Sequence, residues 1–185
     1  MIKVEQLELQ RLGGVCARAP VSCLIRQLLN EAGILQPLRI VRVLGLTYGE
    51  GRFWLALPQA FVVGFDIRRV EWVRKPQKFF KKPCWAWRNY VNGFSPDVVV
   101  IDPPWAEWRR GWDRRGHYIK YNAVGTPEYI LKCGIDAAKA LRKPLLYHWK
   151  APLIADHIVG PIEFWGRSRL ANMRRPSYFG AVRAW

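Results

Sequence analysis

The sequence predicts an α/β fold, a mostly parallel sheet packed between helices and closed by an antiparallel hairpin at the C-terminal end. Three observations carry this. Branched or apolar runs at Leu38–Leu44, Phe61–Asp66, Val98–Ile101 and Leu145–Trp149 read as strands, the third of them apolar throughout as in a strand buried on both faces. Helical spacing lies between and before them, and strands alternating with helices make a parallel sheet. Finally, Ile162–Trp165 and Tyr178–Trp185 read as the two arms of a hairpin, which adds a reversed last strand. Together these are the coarse plan of a Rossmann-like fold.

The elements follow in order. Residues 1–19 are expected to form an arm or an edge strand. From Pro20 to Asn30 the apolar residues Val21, Leu24, Ile25, Leu28 and Leu29 recur at helical spacing, with Gly33 as C-cap. The first strand, Leu38–Leu44, runs into the glycine loop Gly45–Gly51, followed by a short helical stretch to about Leu57. The second strand ends on Asp66, and a basic helix or loop continues to Pro76. A short strand is expected near Trp85–Val91. Val98–Ile101 ends at Asp102-Pro103-Pro104-Trp105. Thr126 then caps a helix to Leu141, with Pro127 in its first position and Glu128 in its first turn. No repeat or linker interrupts the 185 residues, so one domain over residues 1–185 is expected.

Composition narrows the partner. Half the residues are hydrophobic, which argues against disorder over most of the chain. The formal charge is +16, with arginine outnumbering lysine two to one. Such an excess of forked, stacking cations points to a polyanion, nucleic acid first, against the blander reading of a generally basic protein. Ten tryptophans are many for this length, and several alternate with arginines in Glu107–Arg115. Cations interleaved with flat rings suit phosphate contact combined with base stacking, unless the rings are anchors that face the core. The basic clusters Arg68–Lys82, Arg109–Lys120 and Arg167–Arg175 each follow a predicted parallel strand, so they should converge on one rim of the sheet. Arg109, Arg110, Arg114, Arg115, Lys120, Arg174 and Arg175 are the candidate nucleic-acid contacts.

Cys16, Cys23, Cys84 and Cys133 lack the close pairing of a zinc site, and a reduced, cytoplasmic protein is expected. No apolar run is long enough to span a membrane. His117, His148 and His157 have no metal-like spacing and are read as core or surface residues; no metal site is predicted.

Two constellations carry chemistry. In the first, a strand turns into a helix through Gly45, Gly49 and Gly51, and the next strand ends in Asp66. Glycines let backbone N–H groups approach a ligand, and a carboxylate about 20 residues on suits ribose hydroxyls. An adenosine-type cofactor held by Gly45, Thr47, Gly49, Gly51 and Asp66 is the expectation. In the second, Asp102-Pro103-Pro104-Trp105 follows a buried strand. Two prolines remove donors and stiffen the turn, which leaves carbonyls to accept. An aspartate beside a proline carbonyl can accept both hydrogens of an exocyclic amine, while the indole stacks on its base. The alternative is that Asp102 simply caps a turn.

At these residues the chain resembles the class I S-adenosylmethionine-dependent amino-methyltransferases, whose signature is Asp-Pro-Pro-Trp after a hydrophobic strand. The likeness covers about residues 38–150 and rests on the loop Val43–Gly51, on Phe65-Asp66 and on Asp102–Trp105, the last being the specific segment. It implies a Rossmann-like class I methyltransferase fold and S-adenosylmethionine as cofactor. Gly49, Gly51 and Asp66 would hold that cofactor, and Asp102, Pro103, Pro104 and Trp105 would hold the target base. The loop departs from the family at Gly45, where an acidic residue usually faces the cofactor's methionine part; Glu50 stands nearby.

Two other motifs are set aside. Pro83-Cys84 resembles the nucleophile of carbon-5 cytosine methyltransferases but precedes the strand it should follow. The glycine spacing also fits short-chain dehydrogenases, yet no tyrosine has a lysine four residues on. The expected function is methyl transfer to an exocyclic amino nitrogen, adenine's first, of a base in RNA or DNA. The competing expectation is a non-catalytic nucleic-acid-binding subunit with a degenerate methyltransferase fold. A chain of this size has no room for a large target-recognition domain, so a protein partner for specificity is expected, or low specificity.

Overall fold

The computed structural model describes residues 20–67, 71–103, 126–149, 153, 157–162 and 177–183. Seven strands form one sheet: β1 (Arg42–Gly45), β2 (Phe61–Phe65), β3 (Lys78–Phe80), β4 (Val98–Ile101), β5 (Leu145–Trp149), β6 (His157–Ile162) and β7 (Ser177–Val182). Their order across the sheet is β3-β2-β1-β4-β5-β7-β6. β1 to β5 are parallel, and β7 runs antiparallel to both β5 and β6. The architecture is therefore α/β with a mostly parallel sheet and a closing antiparallel hairpin, as the sequence predicts, and it is Rossmann-like. The chain works outward from β1 in one direction through β2 and β3 and in the other through β4. This reversal makes a switch point between β1 and β4, where open α/β sheets leave a crevice at the carboxyl ends of their strands.

Strand alternation divides the core in two. Val99, Ile101, Leu145 and Tyr147 pack with Ile130, Ala137 and Ala138 of helix α2 (Pro127–Leu141). Val98, Val100 and Leu146 pack on the other face with Ile25, Leu28 and Leu29 of helix α1 (Pro20–Glu31). Each such aliphatic side chain removed from water contributes about 1.5–3 kcal/mol, and β4 is buried along its whole length.

Caps bound both helices. Gly33 has φ 68°, its N–H reaches the Asn30 carbonyl, and the Ile34 N–H reaches Leu29, which closes α1 in a Schellman turn. The Thr126 hydroxyl accepts from the Tyr129 N–H at 3.2 Å and opens α2.

Several expected boundaries differ. The first strand begins at Arg42 rather than Leu38: Leu38 has φ 62° in a turn and, like Ile40, is exposed, and of this run only Val41 enters the core. Trp85–Val91 is not a strand; Cys84–Asn89 forms a 3-10 helix, and the third strand is the earlier Lys78–Phe80. The helical stretch after the glycine loop is a single 3-10 turn, Arg52–Trp54. The first arm of the hairpin starts at His157, ahead of the predicted Ile162. Cys23 is disulfide-bonded, which corrects the expectation of four reduced thiols. Among the described residues no helix is long and apolar enough to cross a membrane.

Candidate functional site

Register brings the site together. β4 and β5 pair Val100 with Leu146 and Ile101 with Tyr147, so one step further Asp102 stands beside His148. Asp102 Oδ1 and His148 Nδ1 are 2.7 Å apart. On the other side of β5, His148 is the register partner of Phe179 on β7, and the two rings stack with centroids 4.0 Å apart and planes 4° from parallel. Across the switch point, the Asp102 N–H donates to the Thr47 hydroxyl at 2.7 Å, and the Leu46 N–H donates to the Val100 carbonyl at 3.0 Å. Thr47, Asp102, His148 and Phe179 thus form one row across β1, β4, β5 and β7. Pro103 is buried next to it.

The glycine loop is built around Tyr48. A Cβ on Gly64 would lie 2.8 Å from the Tyr48 ring, and one on Gly51, where φ is 79°, would lie 2.2 Å from the Arg74 carbonyl. The Tyr48 hydroxyl donates to that same carbonyl at 2.7 Å. Burial pushes the Tyr48 phenol up to about 12. Arg74 in turn donates to the carbonyls of Trp54, Leu57, Pro58 and Ala60, holding together the turn that follows the loop. Two of these glycines, Gly51 and Gly64, therefore make room for a tyrosine and a backbone. Gly49 differs: its φ is 58° and, among the described residues, nothing lies within 4 Å of where a Cβ would stand. It leaves open space above the loop.

A Cβ on Gly45 would meet Tyr48 Cδ2 at 3.6 Å and Val62 Cγ1 at 3.8 Å. These are ordinary contacts, so a small side chain fits at this position, but it would point toward the Tyr48 ring, Val62 and the Val63 carbonyl. The Glu50 carboxylate pairs with Arg52 at 2.7 Å in an exposed position and does not line the crevice described next.

Asp66 follows β2 and is only 2 % exposed. Its Oδ2 accepts from the Gly49 N–H at 2.9 Å. With Leu46, Thr47, Ile67, Trp85 and Ile130 it lines a narrow crevice with a cavity volume of only about 10 Å³. Apolar walls around one carboxylate are the chemistry expected at a small-molecule site. Cys84 also lines the crevice. A hydrogen bond with Cys133, together with burial, pushes its thiol well above the ordinary range, which disfavours the reactive thiolate.

The structure thus pairs Thr47 with Asp102 and Gly49 with Asp66 through hydrogen bonds, with Gly45 and Gly51 in the same loop and Pro103 buried beside Asp102. Pro104, Trp105, Arg109, Arg110, Arg114, Arg115, Lys120, Arg174 and Arg175 lie outside the described residues, as does the expected arm over 1–19. Sequence reasoning missed His148. Its placement one residue past the β4–β5 register was the only signal, and that register is not visible before pairing. Among the described residues no cluster of His, Cys, Asp and Glu is arranged to hold a metal ion.

No family model matches the chain, and no curated protein does. Among solved structures the chain is similar to the one titled "Crystal structure of monomeric WbdD", at 16 % identity and a TM-score of 0.38. The match covers 92 % of this chain and 40 % of that one. A likeness at this level carries no argument about function.

Proposed function

We propose that the chain is an S-adenosylmethionine-dependent methyltransferase that acts on an exocyclic amino nitrogen, adenine's first, of a base in RNA or DNA. The observation that carries this reading is the tie between Asp102 and Thr47. It fixes the Asp-Pro segment at the end of β4 beside a narrow crevice that brings apolar walls and one acid together, the chemistry an adenosine cofactor would use. The reversed β7, inserted between β5 and β6, also departs from the 3-2-1-4-5-6 order of dinucleotide-binding sheets.

Asp66 would hold the ribose and Gly49 would leave room for close approach. When bound, the cofactor supplies an electrophilic methyl group. The chain's own task is to present the amine. Asp102 and the Pro103 carbonyl accept its two hydrogens and turn its lone pair out of conjugation with the ring. That help grows as the nitrogen becomes tetrahedral, so it favours the transition state over the ground state. Trp105 would stack on the base, and a base in a duplex would be flipped out first. The cationic segments around Arg109–Lys120 and Arg174-Arg175 would hold the phosphates.

Single-turnover transfer of a labelled methyl group to mixed RNA and DNA, with mass spectrometry of the nucleosides, tests this. Asp102→Ala and Asp102→Asn should slow transfer strongly while cofactor affinity stays native. Near-native transfer by Asp102→Ala would sink the mechanism, and loss of cofactor binding as well would make Asp102 structural. A second reading is a nucleic-acid-binding subunit without activity. Gly45 favours it, because it stands where the family carries the acid that faces the cofactor's methionine part, and Glu50 is paired with Arg52. Nucleic-acid binding with no measurable cofactor affinity would support it.

A further inference from the structure

We propose that His148 is a positioning residue which, through Nδ1, holds the Asp102 carboxylate in the orientation that meets the amine. The inference rests on the methyltransferase reading above and assigns the partner of its central carboxylate.

Three observations carry it. The 2.7 Å approach joins an inner group to an outer one: the His148 side chain is 7 % exposed and that of Asp102 is 32 % exposed. The fixed end of the pair is in the protein and the working end faces outward. Second, His148 is itself held. The parallel Phe179 ring at 4.0 Å lies flat against the imidazole, which limits its rotation. Third, the Asp102 backbone is pinned by Thr47, which leaves the carboxylate torsion as the free variable. That torsion has a broad, roughly two-fold preference when no partner is present. A bond at Oδ1 narrows it, so the second oxygen is aimed rather than merely available. Pre-orientation of this kind lowers the cost of reaching the reactive geometry.

A histidine that only fills the core would behave differently from one that aims a carboxylate. In His148→Asn the side-chain amide can supply a donor near the place of Nδ1; in His148→Phe the volume remains and the donor is lost. The geometry predicts that His148→Phe slows single-turnover methyl transfer about tenfold or more, the worth of a charged hydrogen bond. His148→Asn should stay within a few-fold of native. Cofactor affinity and melting temperature should change little in either. Native rates in His148→Phe overturn the proposal. So does a His148→Asn protein that melts like the native one yet is as slow as His148→Phe.

A second measurement keeps the test independent of activity. In nitrogen-edited NMR the native protein should show a hydrogen-bonded proton on His148 Nδ1 that disappears in Asp102→Ala. Its absence from the native protein overturns the pairing. A native protein that shows this proton but transfers no methyl group overturns the methyltransferase reading, and the role proposed for His148 with it. The two failures are thereby told apart.

Discussion

The backbone N–H of Gly49 donates to Asp66 Oδ2 at 2.9 Å, so the carboxylate expected to grip a ribose also holds the glycine loop in shape. Its two roles can be separated. Asp66→Asn keeps an acceptor for Gly49 and loses the charge. It should melt within about 1 kcal/mol of native but lose about 1.5–3 kcal/mol of S-adenosylmethionine affinity, as expected for a charged hydrogen bond. Asp66→Ala should lose both. Calorimetry combined with denaturant melts checks this; unchanged affinity in Asp66→Asn would remove Asp66 from the cofactor site.

The loop glycines should differ sharply from one another. Gly51→Ala places a methyl group against the Arg74 carbonyl at a positive φ and should cost about 1–3 kcal/mol of stability. Gly45→Ala meets only ordinary contacts at 3.6 Å and beyond and should be nearly neutral. Gly45→Asp, which installs the family's acid, should destabilise the fold without raising cofactor affinity, because the carboxylate would face Tyr48 and Val62. A gain in affinity from Gly45→Asp would refute this account of the loop.

Tyr48 gives the fold an alkaline limit. Its folded value is raised from the ordinary 10.0 to about 12, so the unfolded chain loses this proton first as pH rises. Its contribution is complete below pH 10 and is lost as pH climbs toward 12. Denaturant midpoints should fall over that window. Tyr48→Phe should be less stable at neutral pH, by about 1 kcal/mol for its hydrogen bond, yet fall less steeply above pH 10. Parallel slopes for the two proteins would contradict the assignment.

Nucleic-acid affinity should weaken steeply with salt. Replacing both Arg114 and Arg115 by alanine should flatten the slope of log affinity against log salt by about 0.9 per phosphate contact removed. Trp105→Ala should instead cost about 1–3 kcal/mol of substrate binding with the slope intact, as a lost base stack would. An unchanged slope in the double variant would take the segment off the phosphate path.

Local features were legible in the sequence where local physics decides them. Val98–Ile101, Leu145–Trp149 and the Thr126 cap stand where their composition puts them. Leu38 and Ile40 misled because apolar residues at the surface imitate a strand until the backbone of Leu38 turns to positive φ. The aromatics of Trp85–Val91 suggested a strand, but Pro83 leads into a 3-10 helix that buries Trp87 near α2. At the site, Asp66 and Asp102 were visible as chemistry, and the Thr47 hydroxyl was found on the loop predicted to carry it. The bed that Gly51 and Gly64 make for Tyr48 was not visible, because a glycine made necessary by a ring reads the same as one made necessary by a ligand. Nor was His148, whose partners lie on two other strands and depend on register.

The position of β7 has a consequence for how the protein is made. β5 and β6 succeed one another along the chain, yet β7 stands between them. Until Ser177–Val182 has emerged from the ribosome, β5 is an open edge and the face of His148 that Phe179 will cover is bare. Such long-range pairing is the slow part of folding a sheet. The Asp102–His148 pair therefore gains its final support only after β5 and β6 have been made, and a nascent chain short of β7 would carry its motif without the wall that holds it.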